Sequence, residues 1–227
     1  MSEQIIVAKF GGTSVADFPA MSRCADIVLA DPRIRLIVVS ASSGVTNLLV
    51  DITKQTEVSA RFDLYAGIER ITNAVLHALK EQAQVGANIK QLLIELTTLL
   101  QQPGAFSDAQ KDLIQSFGER LSSVLFAQVL AERGAMVSQF DVRRVMRTDS
   151  QFGKGEPQIE QIAANTSQYL LPLLKQQLIV TQGFIGADPL GQTTTLGRGG
   201  SDYSAAILGE AVGAAVVQIL GNRGFCE

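Results

Sequence analysis

The sequence predicts an α/β protein whose mainly parallel sheet is covered by helices on both faces. Three observations carry that prediction. Short strand-like runs occur at residues 5–8, 36–39, 137–140, 178–182 and 214–219, several of them continuously apolar, as strands buried on both sides are. Segments with apolar residues at three- and four-residue steps separate them, so the order is strand, helix, strand, several helices, strand, helix, strand, helix, strand. The strands also run into loops rich in glycine and hydroxyls, and an open parallel sheet places its ligands beyond the carboxyl ends of its strands.

The first strand, 5–8, feeds into Lys9, Phe10, Gly11, Gly12, Thr13 and Ser14. A cation beside paired glycines suits a nucleotide phosphate tail, because backbone amides reach phosphate oxygens where no Cβ intervenes. The spacing matches neither GxxxxGK[ST] nor GxGxxG, and a plain turn reads equally well. Asp17, Phe18 and Pro19 then give a cap and a first-turn proline, and Met21, Ala25, Val28 and Leu29 give an inward face that ends near Asp31 and Pro32. The second strand, 36–39, ends in Ser40, Ala41, Ser42, Ser43, Gly44, Val45 and Thr46. Ser40 at the strand edge reads as chemical, whereas Ser42 and Ser43 serve equally well as caps.

From about residue 62 to 130 the pattern is helical and forms a helical insertion, with Leu64, Ile68, Ile71, Val75 and Leu79 on one face and Ile89, Leu92, Leu93, Leu96 and Leu100 on another. Ser107 and Gln110 have capping-box spacing ahead of a third helix that carries Leu113, Phe117, Leu121 and Leu125. That helix contains Gly118 and Glu119. A mid-helix glycine costs about 1 kcal/mol against alanine, so something is expected to approach the backbone there. Glu119 itself reads first as a solvated charge pairing with Arg120 or another surface charge.

Strand 137–140 ends at Asp141 and Arg143, and helix 157–174 follows with Ile159, Ile162, Ala163 and Leu170 inward. Between them, 146–155 is a polar loop without a chemical signature. Strand 178–182 leads through Gly183 and Phe184 to residues 193–202, TTTLGRGGSD, where three hydroxyls, three glycines, one arginine and one aspartate precede a helix over 203–212. Capping by Ser201 or Asp202 accounts for one polar residue, but not for Arg198 held between glycines. This passage therefore reads as the floor of an active site, with Gly197, Gly199 and Gly200 permitting positive φ and close ligand approach at a helix N-terminus.

With 227 residues and 46% hydrophobic content the chain suits one sizeable domain. A net charge of -3 provides no basic field for nucleic acid, and no run approaches the roughly 18 apolar residues of a membrane span. Residues 1–4 lack a basic leader start, so a cytoplasmic location is expected. Cys24 and Cys226 lie at opposite ends and read as reduced, incidental thiols; His77, the one histidine, reads as a surface residue. No metal site is expected from side chains alone.

Together KFGGTS (9–14), SASSGVTN (40–47), SFGERLSS (116–123), FDVR (140–143), TQGFIG (181–186) and TTTLGRGGSD (193–202) closely resemble aspartate kinase, above all its monofunctional, lysine-sensitive type. The resemblance spans about 5–218 with the motifs in order. It implies the amino acid kinase fold, ATP with Mg²⁺, and phosphorylation of the side-chain carboxylate of L-aspartate to 4-phospho-L-aspartate, the entry to lysine, threonine and methionine. It further implies that Lys9 contacts the transferring phosphate, that Gly11, Gly12 and Ser14 line a phosphate loop, and that Ser40, Thr46, Glu119, Arg198, Ser201 and Asp202 surround aspartate. Under this resemblance Glu119 is promoted from surface charge to ligand, Glu119 or Asp202 can receive the substrate ammonium, and Asp202 is an organiser of Lys9 and substrate.

Proteins of that family continue past residue 227 into a segment that completes the ATP site and then into paired ACT domains that bind lysine. Here Leu220, Gly221 and residues 222–227 replace the expected Trp-Thr-Asp-Val type exit. The expectation is a truncated catalytic domain, from a frameshifted or shortened gene, with an incomplete C-terminal part, no lysine regulation and a weakened family homodimer. Two alternatives remain open at this point: an inactive remnant or aspartate-binding fragment needing a partner chain, and another amino acid kinase such as one acting on glutamate.

Overall fold

The computed structural model describes residues 4–221. Five strands form one all-parallel sheet in the order β3-β4-β2-β1-β7, where β1 is Ile6–Phe10, β2 Ile34–Val39, β3 Val137–Phe140, β4 Leu178–Gln182 and β7 Val216–Leu220. A separate antiparallel pair, β5 (Ile185–Ala187) with β6 (Thr193–Thr195), stands beyond the end of β4.

Side-chain alternation divides the interior into two cores. Ile6, Ala8, Phe10, Ile37, Val39 and Val180 point to one face, and Val7, Leu36, Val38 and Ile179 to the other. The first face is covered by helices α1 (Phe18–Ala30), α2 (Val45–Lys54), α3 (Val58–Leu76), α4 (Ala83–Leu100) and α5 (Asp108–Ala131), and the second by α6 (Ile159–Asn165), α7 (Leu171–Leu174) and α8 (Gly200–Ala211). The expected sandwich is present.

Several boundaries differ from the sequence reading. Lys9 and Phe10 belong to β1 rather than to the loop, and at position 9 the alternation turns the lysine to the α8 side. The helical region starts at Val45, with Gly44 as its N-cap at φ 86°, not at residue 62. Its last helix, α5, is a layer of the sandwich, with Phe126 edge-on to Phe10 of β1. Helix 157–174 begins at Ile159 and contains a π-helical turn, Thr166–Leu170. That extra residue buries every fourth position, Ile162, Thr166, Leu170 and Leu174, and leaves Ile159 and Ala163 exposed rather than inward.

The caps at Asp17 and at Ser107 with Gln110 are both formed. Cys24 is buried and donates to the Ser14 carbonyl, and His77 is exposed after α3. Cys226 and the divergent ending at 222–227 lie outside the described residues.

Candidate active site

The carboxyl ends of the parallel strands border a cavity of about 490 Å³ lined by Lys9, Ser40, Thr46, Gln115, Glu119, Gly153, Phe184, Thr195 and the run from Gly197 to Asp202. Of the residues singled out from sequence, Lys9, Ser40, Thr46, Glu119, Arg198, Ser201 and Asp202 meet here. Gly11, Gly12 and Ser14 lie outside the lining. Gly11 adjoins the Lys9 ammonium, since a Cβ there would stand 3.7 Å from Nζ. Gly12 is required by packing, because a Cβ would come within 2.7 Å of the Ala41 carbonyl oxygen. Ser14 is 6% exposed, its amide bonded to the Gly11 carbonyl.

Glu119 decides the character of the cavity. It is 3% exposed and is not the solvated partner of Arg120, which instead binds Glu95 at 2.7 Å. One oxygen, Oε1, accepts from the Ala41 amide at 3.0 Å, while Oε2 is buried without a partner. Burial pushes its carboxyl from an ordinary 4.5 up to about 8, against smaller lowering effects of the Ala41 amide and the Lys9 charge. The glycine before it permits this placement: a Cβ on Gly118 would stand 2.6 Å from that of Ala41. The approach inferred from sequence is thus made by the loop after β2, which carries the amide that orients Glu119.

The glycine-rich segment is more ordered than a loop. Thr193, Thr194 and Thr195 form β6 and are buried, and each hydroxyl is engaged in anchoring. Thr193 accepts from Arg143, Thr194 pairs with Thr148 at 2.6 Å, and Thr195 donates to Asp112 at 3.0 Å. Gly197 and Gly199 both have φ of 75°, and Gly199 is the N-cap of α8. Gly200 is in the helix, where a Cβ would collide with Phe184 at 2.8 Å. Neither Ser201 nor Asp202 caps, so both face the site from the first turn of α8 with its N-terminal dipole. Asp202 Oδ1 holds Lys9 Nζ at 2.5 Å, and Gly183 leaves room for Ser201, whose Cβ would lie 2.7 Å from an added one. The Ser42 hydroxyl donates to the Val15 carbonyl at 2.7 Å, and Gly44, not Ser42 or Ser43, is the N-cap of α2.

Sequence reasoning missed Gln115, Gly153 and Phe184 as lining residues, whereas Thr195 lies in the passage read as the floor of the site. Phe184 had a local signal in its place after a strand, and it is the non-glycine residue with positive φ among those described, at 69°. Gly153 had none, and the loop that lacked a chemical signature forms one wall.

A parallel α/β sandwich with a lysine, a buried carboxylate and a helix N-terminus at its strand ends is a protein built to hold a small, multiply charged ligand. The chain belongs to the amino acid kinase family, whose pattern it matches over residues 4–222. It is 49% identical over 96% of its length to lysine-sensitive aspartokinase 3 of Escherichia coli (strain K12), of which it covers 49%, and 35% identical over 94% to an aspartokinase of Chlamydia pneumoniae, of which it covers 46%. The crystal structure of E. coli aspartokinase III in complex with aspartate and ADP superposes with a TM-score of 0.93 at 47% identity, over 96% of this chain and 49% of that one. The chain thus spans about half the length of the relatives it matches. Among the described residues no helix is long and apolar enough to cross a membrane.

Proposed function

We propose that the site transfers the γ-phosphoryl group of ATP to the side-chain carboxylate of L-aspartate, giving 4-phospho-L-aspartate. The observation that carries this reading is the pairing, in one cavity, of an unpartnered carboxyl oxygen with an unpaired cation. Glu119 offers a buried, unpartnered oxygen, and Arg198 is an exposed cation with no carboxylate partner among the described residues. An acceptor with an α-ammonium and two carboxylates needs both signs at short range, and the planar guanidinium suits a carboxylate. Glu119 receives the ammonium, while Arg198 and Ser201 hold a carboxylate; Ser40 and Thr46 line the same cavity. The aspartate and ADP complex of a relative of high structural similarity agrees with this chemistry.

The nucleophile is a carboxylate with an ordinary pKa near 3.9, ionised at neutral pH, so no general base is needed. Catalysis then rests on in-line positioning and charge neutralisation. Lys9 contacts the transferring group, and Asp202, half-exposed and bonded to Nζ, holds its ammonium at the first turn of α8. Gly11, Gly12 and Ser14 form the turn that borders the polyphosphate, with Gly11 adjoining the Lys9 ammonium. Among the described residues no group of three or more side chains could cage a metal. Asp202 alone at the cavity mouth fits Mg²⁺ held mainly by phosphate oxygens and water, as this ion commonly is. When bound, it would neutralise phosphate charge.

Calorimetric titration with L-aspartate, and with L-glutamate as control, tests the acceptor assignment. Binding of aspartate that weakens in Arg198→Ala supports it; equal binding of both amino acids would overturn the specificity.

A further inference from the structure

Asp112 lies outside the cavity, yet it ties two of the cavity's walls together. It occupies α5 seven residues before Glu119 and is 2% exposed. Its Oδ2 accepts from the Gly153 amide at 2.8 Å and from the Thr195 amide at 2.7 Å, and its Oδ1 accepts from the Thr195 hydroxyl at 3.0 Å. All three donors are neutral, and both residues that supply them line the cavity. A carboxylate accepting several backbone amides is held more strongly than a neutral acceptor, and its loss strands buried N–H groups.

The two walls are also joined to one another. The Gly155 amide donates to the Thr195 carbonyl at 2.7 Å, and Gly197 packs so tightly on the Gly153 carbonyl that an added Cβ would stand 3.3 Å from its oxygen. From Thr195 the chain runs through Leu196 and Gly197 directly to Arg198, and both Gly197 and Gly199 have positive φ. The turn bearing Arg198 therefore has a fixed end at Thr195, and the fixing group is a side chain of the helix that also presents Glu119.

We propose that Asp112 is a positioning residue for the acceptor site, setting the distance between the Arg198 turn and Glu119 through its bonds to Thr195 and Gly153. This rests on the reading of Arg198 and Glu119 as aspartate ligands. The acceptor and not the nucleotide should feel its loss, because Lys9 and the Gly11–Gly12 turn hang from β1, which Asp112 does not touch.

The test is calorimetric titration of aspartate and, separately, of ADP into the full chain and its Asp112→Asn variant, together with the same pair in an Arg198→Ala background. Asparagine keeps the shape and can leave its oxygen on the two amides with its amino group on the Thr195 hydroxyl, so what it removes is the charge that strengthens those bonds. The expected result is aspartate binding weakened about tenfold, ADP binding within about twofold, and a loss that vanishes when Arg198 is already absent. Unchanged aspartate affinity, or an equal loss with and without Arg198, would overturn the proposal. Amide exchange at Gly153 and Thr195 reads the tie without any ligand: faster exchange in Asp112→Asn is expected, and unchanged protection overturns the positioning role even if the wild-type chain binds no aspartate, which would overturn the site reading itself. If the asparagine variant does not fold, Thr195→Val removes the hydroxyl bond alone, and its smaller loss must likewise disappear without Arg198.

Discussion

The ammonium of Lys9 stands 2.5 Å from Oδ1 of Asp202, joining the end of β1 to the first turn of α8. Two motifs from opposite ends of the sequence meet in that pair because position 9 faces the α8 side of the sheet. With the aspartate side chain 55% exposed, the pair adds little to stability. Its value is positional.

Lys9→Ala should leave the melting temperature nearly unchanged and aspartate binding intact, while phosphoryl transfer falls by two orders of magnitude or more, about 3 kcal/mol of transition-state stabilisation. Single-turnover kinetics with aspartate at saturation measures it. Turnover like that of the unmodified chain would remove Lys9 from the reaction.

Arg198→Ala should weaken aspartate binding by about 2 to 5 kcal/mol, the range for removing one partner from a desolvated charge pair. Because the side chain is exposed before substrate arrives, folding stability should stay the same. Calorimetry paired with thermal melts separates the two effects.

Glu119 makes acceptor binding depend on pH. Its carboxyl, at about 8 in the ligand-free chain, must ionise to receive an ammonium, so each aspartate bound near neutrality releases a proton. Affinity should rise about tenfold per pH unit well below that value and level off near it, and Glu119→Gln should abolish the slope. Stability runs the opposite way. The folded pKa is raised, so the contribution is fully present below the ordinary 4.5 and is lost as pH rises through about 8. Melts across that window should fall for the unmodified chain and stay flatter for Glu119→Gln.

Gly118→Ala sets helix propensity against packing. Alanine favours the helix by about 1 kcal/mol, but its methyl would stand 2.6 Å from Ala41 Cβ. Overpacking at a buried contact costs about 1 to 3 kcal/mol. The variant should be destabilised on balance and should also lose aspartate affinity, because Ala41 provides the amide that orients Glu119. A stabilised variant in denaturant titration would show that the loop yields freely.

Much of this arrangement was legible in the sequence because its signals are local. Apolar runs mark the strands, and glycines next to Lys9 and Arg198 mark the loops at their carboxyl ends. The caps at Asp17 and Ser107 needed only their own three-residue spacing. What stayed hidden depends on tertiary placement. Helix α2 begins inside a serine-rich stretch that reads as a loop until Gly44 closes it. The β5–β6 hairpin is two three-residue strands, too short for a period. Asp112 resembles any helical acid, since its partners come from Gly153 and Thr195, far along the chain. The π-helical turn shifted the inward face to every fourth residue, which a 3.6-residue period cannot anticipate.

Hydroxylamine trapping of acyl phosphate, with the purified chain, ATP, Mg²⁺ and L-aspartate and a parallel reaction on L-glutamate, tests the central claim most directly. The account predicts aspartyl hydroxamate from aspartate and none above background from glutamate. A folded sample that forms no hydroxamate from aspartate, or as much from glutamate, would contradict it.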